Sequence, residues 1–224
     1  MTPTKQSANV YISVCSKDRP EWSHVLHLNL AIQQAAQHGI LCTMAPTVGE
    51  GTVWRARQDV LVEYMKTKCT HLFSVDDDID VPANAIVKLV EADKEIIAGL
   101  YRLKSLSYYA TAVRLEDNSE INWRAKLKER QVEKAVYVST GCMMVKREVF
   151  ADLVNRYPEL HYTRNVTGDP AWALYMPYIK DWECLSEDWA FCQRALDQGY
   201  EIFVHCDIQC AHWMRHRLEF DIDE

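Results

Sequence analysis

The sequence predicts an α/β fold: a mixed, mostly parallel central sheet flanked by helices, in a single domain spanning residues 1–224. Three observations lead there. Short apolar runs alternate with stretches of helical spacing as far as residue 100, the rhythm of a parallel sheet covered on both faces. One of those runs, His71 to Val75, is β-branched and aromatic and ends in Asp76, Asp77, Asp78 and Asp80, and ligands of such sheets gather at the carboxyl ends of strands. The composition is globular, with 224 residues, 48% hydrophobic and 25% charged, enough chain to bury roughly 70–75% of its unfolded surface.

Asn9 to Cys15 reads as the first strand, and the loop Ser16-Lys17-Asp18-Arg19-Pro20 leads into a helix over about 21–38. Val25, Leu28, Ile32 and Ala35 fall at core spacing, and Gly39 supplies the C-terminal stop. A second strand covers 41–45, a turn covers 48–51, and a helix over about 52–66 is expected to bury Val53, Val60, Leu61 and Met65. After the acidic strand, Pro82 begins a helix to about 92, and 96–100 forms a fourth strand. Beyond it the rhythm changes. A strand over 108–113, a polar hairpin or loop over 116–133, and strands at 135–138 and 142–145 are expected, then a helix over 148–156. Residues 157–185 read as irregular and aromatic-rich; Ser186 caps a helix to about 198, and 201–205 closes the sheet.

The totals exclude several classes. A formal charge of −7 argues against a nucleic-acid partner, which usually shows as a basic excess. No window approaches the ~18 apolar residues of a membrane span. The first residues lack the apolar region of a secretory signal, and eight scattered cysteines read as small hydrophobes in a reduced compartment, so a cytoplasmic location is expected. GxGxxG and Walker lysine motifs are both absent from the sequence, which argues against a dinucleotide fold and a phosphate-loop ATPase.

The acidic strand end carries the chemistry. In extended chain Asp76 and Asp78 share one side and Asp77 takes the other. Two carboxylates about 5 Å apart repel by roughly 3 kcal/mol at an effective dielectric near 20, so a cation must sit beside them. A hard divalent ion with oxygen ligands, still open to phosphate oxygens, meets that requirement. Capping of the helix that follows accounts for one aspartate but not for four. Arg57, flanked by core positions, is placed to face Asp76 or a phosphate, while Arg102 and Lys104 follow the fourth strand where they can neutralise a diphosphate. Ser186-Glu187-Asp188-Trp189 opens a helix. Its acids suit the helix dipole, and one of them equally suits removal of a proton from a hydroxyl. His212 completes a carboxylate site if its strand end lies beside Asp78; His205 and His216 sit in no pattern.

Taken together these segments resemble the GT-A glycosyltransferases. Val75-Asp76-Asp77-Asp78-Ile79-Asp80-Val81-Pro82 is similar to their DxD motif with its continuation, and Gly99-Leu100-Tyr101-Arg102-Leu103-Lys104 to the GxYxxK segment. Ser139-Thr140-Gly141-Cys142 resembles the glycine-bearing acceptor-side strand, Glu187-Asp188 the ED motif, and His212 the C-terminal histidine. The resemblance implies a nucleotide-sugar donor, UDP-linked in preference to GDP-linked, held through Mn2+ or Mg2+, and a carbohydrate or glycoprotein acceptor. Carried onto this chain, it implies Asp78 and His212 as metal ligands, Asp76 as metal or ribose contact, and Asp188 as base with Glu187 beside it. Cys15, Ser16, Lys17, Arg57, Asp77, Lys104 and Gly141 fall on the donor side. Residues 9–104 would form the nucleotide-sugar half and 105–224 the acceptor half. Asp78-Ile79-Asp80 is itself a DxD, so the register stays open between Asp76/Asp78 and Asp78/Asp80. Inversion and retention are both open.

Other readings differ in stated features. A haloacid-dehalogenase-like phosphatase places its DxD on the first strand, whereas two strand–helix units precede it here. A sugar-phosphate nucleotidyltransferase carries a glycine-rich basic N-terminal loop, which Ser16 to Pro20 lacks. A carbohydrate-binding module keeps the aromatics without needing the aspartates.

Overall fold

A computed structural model of the chain describes residues 8–17, 19–104, 113–115, 131–165, 167–214 and 217–218. Its centre is a seven-stranded sheet in the order β2-β1-β3-β7-β5-β12-β6, formed by β1 (Asn9–Ser16), β2 (Leu41–Val48), β3 (His71–Asp76), β5 (Ile96–Leu100), β6 (Val132–Ala135), β7 (Cys142–Lys146) and β12 (Ile202–Gln209). β1, β2, β3, β5 and β12 run one way, and β7 and β6 run against them. This is the mixed, mostly parallel arrangement that the sequence predicts. Among the described residues no helix is long and apolar enough to cross a membrane.

Strand alternation divides the core in two. Val10, Ile12, Phe73, Val75 and Met144 face the layer of α1 (Trp22–Gln37) and α3 (Ala85–Glu91), against Leu28, Ala31, Ala35 and Leu89. Tyr11, Leu72, Met143 and Val145 face α2 (Val53–Lys66), α4 (Arg147–Arg156) and α5 (Glu187–Leu196), against Leu61, Tyr64, Phe150 and Phe191. Arg147 anchors the end of α2, donating to the carbonyls of Tyr64 (2.9 Å), Thr67 (2.9 Å) and Cys69 (2.7 Å). A cation on the last carbonyls of a helix satisfies acceptors that have no partner within it.

Several expectations shift. α1 buries His24 and Ala31, whereas Val25 and Ile32 are only half-buried. Val53, expected in the core, is exposed because it opens α2 at the rim, and Met65 is half-buried. The strand expected at 135–138 forms three residues earlier, because its antiparallel register on β12 pairs Val132 with His205 and Ala135 with Ile202. The helix after the acidic strand starts at Ala85 rather than at Pro82. The intervening Ile79–Asp80 is a short strand, β4, which pairs with β13 (Ala211–Trp213), and β13 in turn pairs with β14 (Arg217–Leu218). The stretch over 157–185 holds two small hairpins, β8 (His161–Thr163) with β9 (Pro170–Trp172) and β10 (Tyr178–Lys180) with β11 (Glu183–Leu185). Their three-residue strands are too short for a periodic signal. The strand expected over 108–113, apart from Val113, most of the polar segment over 116–133, and His216 lie outside the described residues.

β5 and β12 approach closely where Gly99 lies. A Cβ there would stand 2.7 Å from Ile208 Cγ2 and 2.8 Å from Cys142 Sγ. Gly99→Ala is therefore expected to lower stability by about 1–3 kcal/mol through overpacking, read as a fall in the urea midpoint at unchanged slope; an unchanged midpoint would show that the sheet opens freely there.

Candidate functional site

The site forms where the carboxyl ends of β1 and β3 lie side by side, with Cys15 paired in register to Asp76. β3 ends at Asp76 and the chain turns at Asp77 and Asp78 before β4 begins. That turn breaks the alternation expected from extended chain, so Asp77 does not face away. Asp76, Asp77 and Asp78 all line one cleft of about 220 Å³, together with Cys15, Ser16 and Lys17. Ser16 Oγ donates to Asp77 Oδ2 at 2.5 Å, tying the two strand ends together. Burial pushes the Asp77 carboxyl up; the Ser16 bond lowers it, and Asp78 and Asp76 raise it further.

Arg57 is the hub. It sits on α2 at 5% exposure, and its Nη1 donates to Asp76 Oδ1 at 3.2 Å. Its Nη2 lies 3.5 Å from both Glu187 Oε1 and Asp188 Oδ1. One buried cation thus joins the end of β3 to the first turn of α5. Burial works against that charge, but Asp76 and then Asp188 outweigh it and hold the guanidinium protonated. Asp188 is itself 9% exposed, and Thr140 Oγ1 donates to its Oδ1 at 2.5 Å. Burial raises the Asp188 carboxyl from the usual 3.8 to about 6; Glu187 adds to the rise, and Arg57 and Thr140 oppose it.

A second cluster adjoins the first. Asp78 forms an ion pair with Lys104, and His212 Nε2 lies 3.5 Å from Asp78 Oδ1. Burial alone would raise the Asp78 carboxyl, but His212 and Lys104 hold it below the usual carboxylate range. His212 Nδ1 stands 2.6 Å from the carbonyl of Arg102. A carbonyl only accepts, so Nδ1 carries the proton and Nε2 is directed at Asp78. Tyr101 packs edge-on against the imidazole, with ring centroids 5.3 Å apart. Gly141 fits between these groups, since a Cβ there would meet Tyr101 Oη at 2.5 Å and Asp76 Oδ2 at 3.0 Å. Asp80 turns elsewhere: buried at 3% exposure, its Oδ2 accepts from Ser23 Oγ at 2.6 Å and Trp213 Nε1 at 2.9 Å.

The chain therefore gathers Asp76, Asp77, Asp78, Cys15, Ser16, Lys17, Arg57, Lys104, Gly141, Glu187, Asp188 and His212 around one strand-end region. The ligand set of Asp76, Asp78 and His212 is divided. Arg57 draws Asp76 toward α5, and among the described residues no three His, Cys, Asp or Glu side chains are gathered for an ion. Asp78 and His212 remain as an adjacent carboxylate and imidazole. His205, with its pKa lowered by burial, has no place in the cleft. Sequence reasoning singled out neither Thr140 nor Tyr101 as a site residue. Both lie within the segments carrying the resemblance, but only their contacts mark them out.

No family model and no curated protein matches the chain. Three solved structures are similar at low identity. GalNAc-T7 with UDP, GalNAc and Mn2+ is 13% identical, with 92% of this chain and 43% of that one covered and a TM-score of 0.47. The inositol-1-phosphate CTP transferase from T. maritima is 12% identical over 89% of this chain and 85% of that one, at 0.44. S. aureus TarS 1–349 is 12% identical over 88% of this chain and 58% of that one, at 0.43. This chain thus spans less than two thirds of the GalNAc-T7 and TarS chains.

Arg57→Met would leave Asp76, Glu187 and Asp188 facing one another without compensation. A loss of about 3–5 kcal/mol is expected at pH 7.5. Because the folded pKa of Asp188, about 6, lies above its ordinary 3.8, the stability linked to its protonation is full below the lower value and lost as pH rises through the upper one. Part of the variant's deficit should therefore return at pH 5, as urea unfolding at the two pH values would show. An equal deficit at both would remove Asp188 from the charge balance.

Proposed function

We propose that the chain is a glycosyltransferase that moves a sugar from a nucleoside-diphosphate donor, UDP-linked in preference to GDP-linked, to a hydroxyl of a carbohydrate or glycoprotein acceptor. The observation that carries this reading is the placement of Asp188, a buried carboxylate with a pKa near 6, beside the acidic end of β3 across one shared arginine. A base must be close to neutral pH to be useful.

The residues present fit a divalent cation. Asp78 offers oxygen, and His212 offers an Nε2 freed for ligation because the Arg102 carbonyl engages Nδ1. Asp78 and His212 would hold Mn2+ or Mg2+. When bound, such an ion supplies Lewis acidity to the departing nucleoside diphosphate. The commitment of Asp80 to Ser23 and Trp213 favours the Asp76/Asp78 register of the acidic motif.

The chain's own groups divide the remaining work. The cleft beside Cys15, Ser16 and Lys17, about 220 Å³, is smaller than the ~300–1,000 Å³ of pockets that enclose a whole small ligand, and so receives the nucleoside end of the donor. Lys104, half-exposed on its flexible stem, exchanges Asp78 for a diphosphate oxygen. Arg57 holds Asp76 and Asp188 at fixed separation. Asp188 accepts the acceptor hydroxyl's proton if the anomeric centre inverts. If configuration is retained, its carboxylate steadies an oxocarbenium-like centre.

Two outcomes are expected. A UDP- or GDP-type nucleotide should raise the melting temperature only with Mn2+ or Mg2+ present, because ligands of the native state stabilise it by mass action. Asp188→Asn should retain that shift while transfer falls by roughly 10²–10⁴, and wild-type turnover should rise with pH through about 6. Undiminished turnover in the variant would exclude Asp188 from the chemistry.

A further inference from the structure

A second, larger cavity lies outside this cleft. About 610 Å³ in volume, it opens between α2 and the β8–β9 hairpin, within the ~300–1,000 Å³ range of small-ligand pockets. α2 faces both sites. Arg57 points at the carboxylates, while Trp54 and Gln58, one turn apart and so on one helix face, line the larger cavity. Glu50 lines both spaces, so they adjoin.

The lining has a definite chemistry. Trp54 packs against the core on one side and borders the cavity on the other, beside Leu160 and Met176. Two arginines and three carboxylates line the cavity: Arg164 Nε lies 3.0 Å from Asp59, Arg55 Nε lies 3.7 Å from Glu50, and Glu159 is the third acid. Tyr162 Oη donates to Gln58 Oε1 at 2.9 Å. Gln58, 1% exposed, has its Nε2 without a partner among the described residues. An aromatic face, fixed hydrogen-bonding groups and an excess of carboxylate over arginine suit a molecule with both C–H faces and hydroxyls, and disfavour an anion.

We propose that this cavity binds a neutral saccharide and holds the body of the acceptor, delivering its reacting hydroxyl toward the adjoining cleft. The acceptor role rests on the transferase reading; the preference for a neutral saccharide does not. The recognised chemistry is the same for a free glycan and for one carried on a peptide.

The test is saturation-transfer NMR and calorimetry on the whole chain. The probes are neutral trisaccharides (maltotriose, chitotriose, mannotriose), each also presented on a glycopeptide, and acidic ones (sialyllactose, a heparin trisaccharide). At least one neutral probe should bind, Trp54→Ala should weaken it about tenfold, and Trp54→Phe should restore most of the affinity. Tighter binding of the glycopeptide would assign the physiological source to a glycoprotein; equal binding would assign it to the glycan alone. Binding by neither form of any neutral probe, a preference for the acidic ones, or indifference to Trp54→Ala would overturn the proposal. A parallel titration with UDP and Mn2+ separates the two readings. Saccharide binding without nucleotide binding sinks the transferase and leaves the cavity assignment standing; the reverse sinks only the cavity assignment.

Discussion

The arrangement of the site depends on one buried guanidinium. Arg57 reaches Asp76 at the end of β3 and Glu187 and Asp188 at the start of α5, groups separated by more than a hundred residues of sequence. Three carboxylates converging at low exposure would repel strongly, and an arginine's planar fork can serve several of them at once. The helix that carries it is fixed at its far end by Arg147, which holds three backbone carbonyls. A cation at each end of the helix thus sets where the acids meet.

That hub changes the meaning of the acidic motif. From sequence, the repulsion among the aspartates calls for an external cation. The fold supplies two internal ones, Arg57 for Asp76 and Lys104 for Asp78, so the folded chain is electrostatically viable by itself. The two differ in character. Arg57 is buried and committed to several partners, whereas Lys104 is half-exposed and held by one carboxylate and can leave it at small cost. An architectural charge and an exchangeable one therefore lie side by side. His212 stands next to the exchangeable one, its far nitrogen tied to the backbone.

Much of the fold was legible because its signal is periodic. β1, β3, β5, α2 and α5 follow from apolar spacing and from terminators such as Gly39 and Gly199. The short pieces β4, β13 and the two hairpins escaped, because two or three residues cannot display a period and their pairing is settled by distant partners. Ile79–Asp80 is a strand only because Ala211–His212 lies against it. The membership of the site was legible in the same measure: aspartates at a strand end and acids at a helix start announce themselves, and Arg57 stands out as a charge among core positions. The side chosen by Asp77 was not legible, since it follows from a turn rather than from pleat. Thr140 and Tyr101 were unreadable for another reason. Ordinary residue types acquire significance only through a 2.5 Å contact with Asp188 or an edge-on approach to His212.

The reversed strand β7 has a bearing on how such a scaffold diversifies. Because it runs against β3 and β5, the chain leaves β5 after Leu100 and enters β7 at Cys142 along a single rim, where Tyr101 and Gly141 meet. Between those points the chain returns to the sheet as β6 beside β12 and brings Thr140 to Asp188. Closure entropy grows only slowly with the length of a connection between strands. Added length between Leu100 and Val132 would leave both registers of β7 and that of β6 intact, so sequence novelty is most cheaply written into that interval.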